Sequence, residues 1–134
     1  GEPVSLQGLS ERLTVVDFWG TWCGPCIQAI PHMKELQARY GDRATFLAVA
    51  AEEPGMEGKW KATIRKHDWG NGFVHAWRPD REVPHAWAIH KYPSYAVVAA
   101  DGTLLGTGLV QTELDAVLER ELGDPPATPE AQAE

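Results

Sequence analysis

Sulfur is scarce in this chain of 134 residues: there are two cysteines, and both sit in the short stretch Cys23-Gly-Pro-Cys26. A chain of this length buries a substantial core, so no disulfide or metal staple is needed to hold it together, and the pair calls for a local explanation. Basic residues are also few. Twelve Lys and Arg against 19 Asp and Glu leave a formal charge of −7; without a Lys/Arg cluster, such a surface repels nucleic acid and anionic membranes. Long apolar runs are missing as well. Runs such as Ala96 to Ala100 fall far short of the ~20 residues that cross a bilayer, and no charged-then-apolar leader opens the chain at Gly1. With no internal repeat either, these absences leave one soluble, acidic domain.

Leu13 to Trp19 is rich in β-branched and aromatic residues and stops at Gly20, as a buried strand does. From Pro25 to Tyr40 the residues Cys26, Ile30, Met33, Leu36 and Tyr40 recur at helical spacing; Gly41-Asp42 ends the pattern and Pro31 predicts a kink within it. Ala44 to Ala51 reads as a second strand running into the breaker-rich loop Glu52-Glu53-Pro54-Gly55, and Lys59 to His67 as a helix. Gly72 to Trp77 reads as a strand and Pro84 to His90 as a short helix. Ser94 to Ala100 is a strong strand that turns at Asp101-Gly102 into Thr103 to Thr107. Thr112-Glu-Leu-Asp115 resembles a capping box opening a last helix to Leu122. Early βαβ crossovers favour parallel strands and a late hairpin requires an antiparallel pair, so an α/β layered domain with a mixed sheet follows. Residues 1–122 form that domain, and 123–134, a Pro/Ala/Glu tail with nothing apolar to bury, is expected to be disordered.

A thiol reacts as its thiolate, and a free cysteine has a pKa near about 8.5, so a redox cysteine needs help in holding negative charge. The start of a helix supplies it through unpaired N–H groups and the macrodipole. The spacing places Cys23 at the cap and Cys26 one turn further in, close enough to bridge, and Pro25 suits a first turn where its missing donor is not needed. Cys23 is therefore expected to be the accessible attacking sulfur, and Cys26, deeper on the helix, the resolving one. A zinc half-site is the rival reading, but the five histidines, at positions 32, 67, 75, 85 and 90, form no second paired cluster. An inert disulfide would gain little from so short a loop.

Val16-Asp-Phe-Trp-Gly-Thr-Trp-Cys-Gly-Pro-Cys26 resembles the active-site segment of the thioredoxin superfamily. Its closest form is the TlpA/ResA-type branch of extracytoplasmic thioredoxin-like reductases, which the chain resembles in FW-x-TWCGPC, in Pro31 and in the late YPSYAVVAADG stretch, over about residues 4 to 122. The resemblance implies a three-layer fold with a mixed central sheet and helices on both faces. It implies that Pro93 is a cis-proline facing the cysteines and that Tyr92 offers backbone hydrogen bonds to an extended substrate. Read without the family, a strand-entry proline is more often trans.

Asp17 is an acid inside an apolar strand, costly to bury unless it is satisfied or neutral. Thioredoxins carry an acid at the matching position. By that analogy Asp17 exchanges a proton with Cys26 through water as general base, the alternative being a strand-edge Asp facing solvent. Trp22 would form a flat apolar wall for a partner, with Gly24 and Pro25 between the sulfurs at the same surface, and Gly108 resembles a family glycine of the same groove. Trp60, Trp69, Trp77 and Trp87 read as packing.

The activity implied is that of a thiol–disulfide oxidoreductase acting on protein disulfides, with an upstream dithiol donor, no cofactor and no metal, in a monomer. A Gly-Pro interior resembles the reducing end of the superfamily, where thioredoxin lies near about −270 mV. The location implied is extracytoplasmic, periplasmic or membrane-tethered; the cysteine usage alone is also compatible with the cytoplasm. Two features depart from the family, one from the branch and one from many cytosolic thioredoxins. Ala29 stands where many members carry a Glu tied to apocytochrome c partners, which counts against cytochrome c maturation, and Leu47-Ala48-Val49 lacks the Lys that many thioredoxins place near the buried Asp. The rival classes are a non-catalytic thioredoxin-fold module that binds through the Trp22/Pro93 groove, and a peroxidase, for which a lone Thr-x-x-Cys site would be expected.

Overall fold

A computed structural model describes residues 12–78 and 91–123. Five strands, β1 (Leu13–Trp19), β2 (Ala44–Ala51), β3 (Phe73–Arg78), β4 (Ser94–Val98) and β5 (Leu104–Leu109), form one sheet in the order β3-β2-β1-β4-β5. The β1–β2 and β2–β3 pairs are parallel, and the β1–β4 and β4–β5 pairs antiparallel. The sheet is mixed, as the crossovers and the hairpin require. β1 lies at its centre with every residue buried, which is why its sequence shows no polar alternation.

Four helices are described: α1 (Gly24–Gln28), α2 (Ile30–Tyr40), α3 (Glu57–Lys66) and α4 (Gln111–Leu122). Side chains alternate along each strand, so Leu13, Val15, Asp17 and Trp19 share one face. There Leu13 and Val15 pack with Met33, Leu36 and Tyr40 of α2 and with Leu114, Val117 and Leu118 of α4. Trp19, Ala48 and Ala50 pack on the same face with Cys26 of α1, Ile30 of α2 and Trp60 of α3. Two successive parallel crossovers moving in the same direction along a sheet place their helices on one side. The opposite face buries Val16, Phe18, Leu47, Val49, Ala76 and Ala96. The expected helix at 84–90, Trp87 and the tail beyond Gly123 lie outside the described residues.

Several boundaries differ from expectation by a residue or two, among them Glu57–Lys66, Phe73–Arg78 and Leu104–Leu109, and three further differences have a visible cause. The helix predicted from Pro25 to Tyr40 is interrupted at Ala29, two residues before Pro31, because a proline ring collides with the carbonyl four residues back and supplies no N–H; Pro31 instead opens α2. The strand from Ser94 ends at Val98, since Ala99 N–H already bonds Thr103 O (2.7 Å) and Gly102 N–H bonds Ala99 O (2.9 Å) to make the turn. The last helix begins at Gln111 with Val110 as its cap, so Thr112 and Asp115 lie inside it. Glu113 Oε1 accepts from Val110 N–H at 2.9 Å, one half of a capping box; Val110 has no side-chain acceptor to complete the other.

Candidate active site

The C-terminal ends of β1 and β2 and the start of β4 meet at one end of the sheet, because β4 runs antiparallel to β1 with Phe18 opposite Ser94. β1 leaves the sheet at Gly20, and Cys23 N–H bonds back to Gly20 O at 3.1 Å, closing a tight turn over Thr21 and Trp22. Cys23 then caps α1 in extended conformation (φ −103°, ψ 103°), with Pro25 in the first turn. Cys23 and Cys26 are joined as a disulfide with their α-carbons 5.3 Å apart, and Cys26 N–H points at the Cys23 sulfur, 3.2 Å away. α1 spans only five residues before the break at Ala29, so the N–H that reaches the Cys23 sulfur belongs to a single short turn rather than to a long aligned helix.

The contrast between an open first sulfur and a covered second one is absent in this oxidised form: Cys23 is 5% and Cys26 4% exposed. Both cysteines pack in the cluster of Trp19, Ile30, Trp60 and Trp69, with Ile27 and Tyr92 packed at its edge. The exposed surface around the pair is carried instead by Gly24, Pro25 and Trp22, the last 47% exposed. Trp22 stands edge-on to Tyr92, ring centroids 5.2 Å apart, and the Tyr92–Pro93 peptide bond is cis. Cys23, Cys26, Trp22 and Tyr92 are thus brought together, with Pro93 next along the chain. Gly108 lies on β5, one residue before Leu109, which pairs with Tyr95; its φ is +64° and open space lies over its α-carbon. Trp60 and Trp69 are buried and Trp77 half-buried, as packing residues.

Asp17 does not face solvent. It is 4% exposed, directly opposite Tyr95 on β4 and beside Ala48 on β2, and Ala48 packs in the cluster that holds Cys26. Burial pushes its carboxyl up to about 7. Its Oδ1, the Tyr95 hydroxyl and Thr14 Oγ1 are all buried with no hydrogen-bond partner among the described residues. Burial also raises the Tyr95 phenol, to which Asp17 adds.

The sequence reading passed over Glu52, taking it as the first residue of a loop. Its side chain is fully buried. Oε2 accepts from Thr21 N–H at 2.5 Å and Oε1 from the Thr21 hydroxyl at 2.9 Å. The neighbouring Ala51 carbonyl accepts from the Trp22 indole N–H at 2.8 Å. An acid directly after an apolar strand, at the sheet end that carries the cysteines, was the available signal, since strand ends in α/β sheets are where sites are built. Among the described residues no three of His, Cys, Asp and Glu gather as metal ligands, and no helix is long and apolar enough to cross a membrane.

With this geometry in view, the chain matches the Redoxin family over residues 1–122. It is 33% identical over 106 residues to the thiol-disulfide oxidoreductase ResA of Bacillus thuringiensis subsp. konkukian, covering 78% of this chain and 59% of that one. It is 38% identical over 93 residues to a thioredoxin of Listeria monocytogenes, covering 64% of this chain and 88% of that one. The fold also matches the crystal structure of the exposed lipoprotein thioredoxin Etrx1 of Streptococcus pneumoniae, with a TM-score of 0.71 and 20% identity over 87% of this chain and 90% of that one. The matches to the curated YneN and ResA relatives cover between 29% and 59% of their length. The chain belongs to the Redoxin family, as a thioredoxin-like protein of the TlpA/ResA type.

Proposed function

We propose that this chain is a thiol–disulfide oxidoreductase that reduces or exchanges disulfides in protein substrates. The observation that carries the reading is the Cys23–Cys26 disulfide itself, closed across the first turn of α1 with Cys26 N–H directed at the Cys23 sulfur. In the reduced protein that N–H favours the Cys23 thiolate. The thiolate attacks one sulfur of a partner disulfide; a mixed S–S bond forms, the partner's own S–S bond breaks, and its other sulfur leaves as a thiolate. Cys26, deprotonated, then attacks Cys23 Sγ and expels the partner's second sulfur. Two electrons have passed to the partner, and the chain is left with the Cys23–Cys26 bridge, which an upstream dithiol donor must reduce again.

Asp17 serves this second step as general base for Cys26. Its raised pKa, on the face that holds the cysteine cluster, suits proton exchange near neutral pH. Trp22 and Tyr92 form the apolar rim against which an extended partner segment rests, Pro93 and the backbone of Tyr92 align it, Gly24 and Pro25 contribute the surface between the sulfurs, and Gly108 extends the groove. The Gly-Pro interior favours reduction over strong oxidation, and the protein works as a monomer. An extracytoplasmic site of action is supported by the exposed lipoprotein among the fold's neighbours.

Replacing the resolving thiol tests this reading. Cys26→Ser leaves Cys23 stalled in mixed disulfides with partners that mass spectrometry identifies, whereas Cys23→Ser traps none and reduces no insulin. Parent protein that binds partners but never reduces insulin with a dithiol donor would instead be a binding module.

A further inference from the structure

We propose that Glu52 is a positioning residue for the redox pair: through Thr21 it pins the turn that delivers Cys23 and, with Ala51, fixes Trp22 beside it. The inference rests on the proposed role of Cys23 and adds to it a determinant on a different strand. Residues 51 and 52 close the end of β2, residues 21 and 22 form the turn after β1, and three hydrogen bonds of 2.5, 2.9 and 2.8 Å join the two. Thr21 gives both its backbone N–H and its hydroxyl to the two oxygens of one side chain, which fixes the rotation of the turn as well as its distance from β2.

Packing alone does not account for this arrangement. A side chain with no exposed surface costs least when it is apolar, and a buried carboxyl is tolerated only where donors meet it. The donors here belong to the turn that ends at the nucleophile. Trp22 is held by the same strand end, and Gly20 makes room for it, since a β-carbon at Gly20 would overlap Nε1, Cε2 and Cζ2 of the Trp22 indole. The indole therefore lies close over Gly20 and meets the Tyr92 ring at an interplanar angle of 80°, while the Cys23 N–H closes the same turn on Gly20 O. Sulfur and aromatic wall are set as one unit, so a partner that docks on Trp22 meets the sulfur in a fixed place.

The test compares Glu52→Ala with Glu52→Gln and Thr21→Val with Thr21→Ser, in the reduced full chain. The Gln amide keeps an acceptor for Thr21 N–H and gives a donor to the hydroxyl, so it should stay within about threefold of the parent. Loss of the clamp in Glu52→Ala misplaces the sulfur and should slow insulin reduction by about 10- to 100-fold, in kcat as well as KM. Thr21→Val should fall between, and Thr21→Ser should behave as the parent. Independently of any redox chemistry, hydrogen exchange at the Thr21 amide should speed up at least about tenfold in Glu52→Ala and not in Glu52→Gln. A folded Glu52→Ala with parental rates, or a Glu52→Gln as slow as Glu52→Ala, overturns the positioning role. If Glu52→Ala does not fold, equal rates for Thr21→Val and Thr21→Ser overturn it. An inactive parent with a protected Thr21 amide would reject the proposed activity while leaving the clamp in place.

Discussion

Asp17 and Glu52 are both carboxyls buried near the cysteine end of the sheet, 4% and 0% exposed, yet their surroundings are opposite. Asp17 sits in mid-strand between β2 and β4, where the neighbouring backbone N–H groups are spent in the sheet ladders, and its Oδ1 has no partner among the described residues. Glu52 sits one residue past a strand end, facing a turn whose N–H and hydroxyl are still available, and both its oxygens are taken. Burial by itself thus says little about an acid. A mid-strand position withholds donors and makes the group a store for a proton, while a strand-end position supplies donors and makes it an anchor.

The largest expected effect breaks this contrast at Asp17. Its carboxyl holds a proton up to about pH 7 in the folded state but releases it above 3.8 when unfolded. Between those values the native state binds more protons, so stability falls as pH rises through that window and is flat above it. The share at stake is on the order of 4 kcal/mol. Urea melts of Asp17→Asn should lose that part of the decline between pH 4.5 and pH 8, the parent supplying the background from all other groups. The same variant should resolve mixed disulfides about 100-fold more slowly near pH 8, without an inflection near 7. A slope and a rate both equal to the parent's would mean that Asp17 ionises as freely as a surface acid.

Glu52 should act as an anchor. Removing its side chain in Glu52→Ala leaves Thr21 N–H and the hydroxyl without their acceptors and costs about 1–3 kcal/mol. Glu52→Gln should recover most of it. A Glu52→Ala as stable as the parent in urea melts would mean that the donors of the turn contribute nothing.

The sequence made one of these acids visible and hid the other. Asp17 interrupts a run of apolar residues, and an interruption can be seen in a one-dimensional pattern. Glu52 interrupts nothing: it follows the strand and begins a stretch with Glu53, Pro54 and Gly55 that has the composition of any surface loop. Its partner is 31 residues away, and only the parallel pairing of β1 with β2 sets their ends side by side. The strands, the hairpin and the cysteine-bearing turn were legible because periodicity and Gly/Pro punctuation are local. The break at Ala29 was displaced from its cause because a proline acts on the turn before it. The near-equal cover of the two sulfurs was not legible, since it depends on Trp60, Trp69 and Tyr92, which arrive from elsewhere in the chain.

The smallest expected effect concerns a third acid and sharpens the same contrast from the solvent side. His32 on α2 and Asp115 on α4 meet at 2.9 Å, the same length as the Thr21 hydroxyl to Glu52 contact, but their side chains are 33% and 41% exposed. Water competes for both partners, and holding the two side chains in one geometry costs entropy, so the link between the helices is worth under about 1 kcal/mol. His32→Ala should therefore shift the denaturation midpoint only slightly and leave insulin reduction unchanged. Thr21→Val, which removes a contact of equal length to a fully buried carboxyl, should cost more. If His32→Ala proved the more damaging of the two, contact distance would outrank burial in this protein, and the anchoring assigned to Glu52 would lose its physical basis.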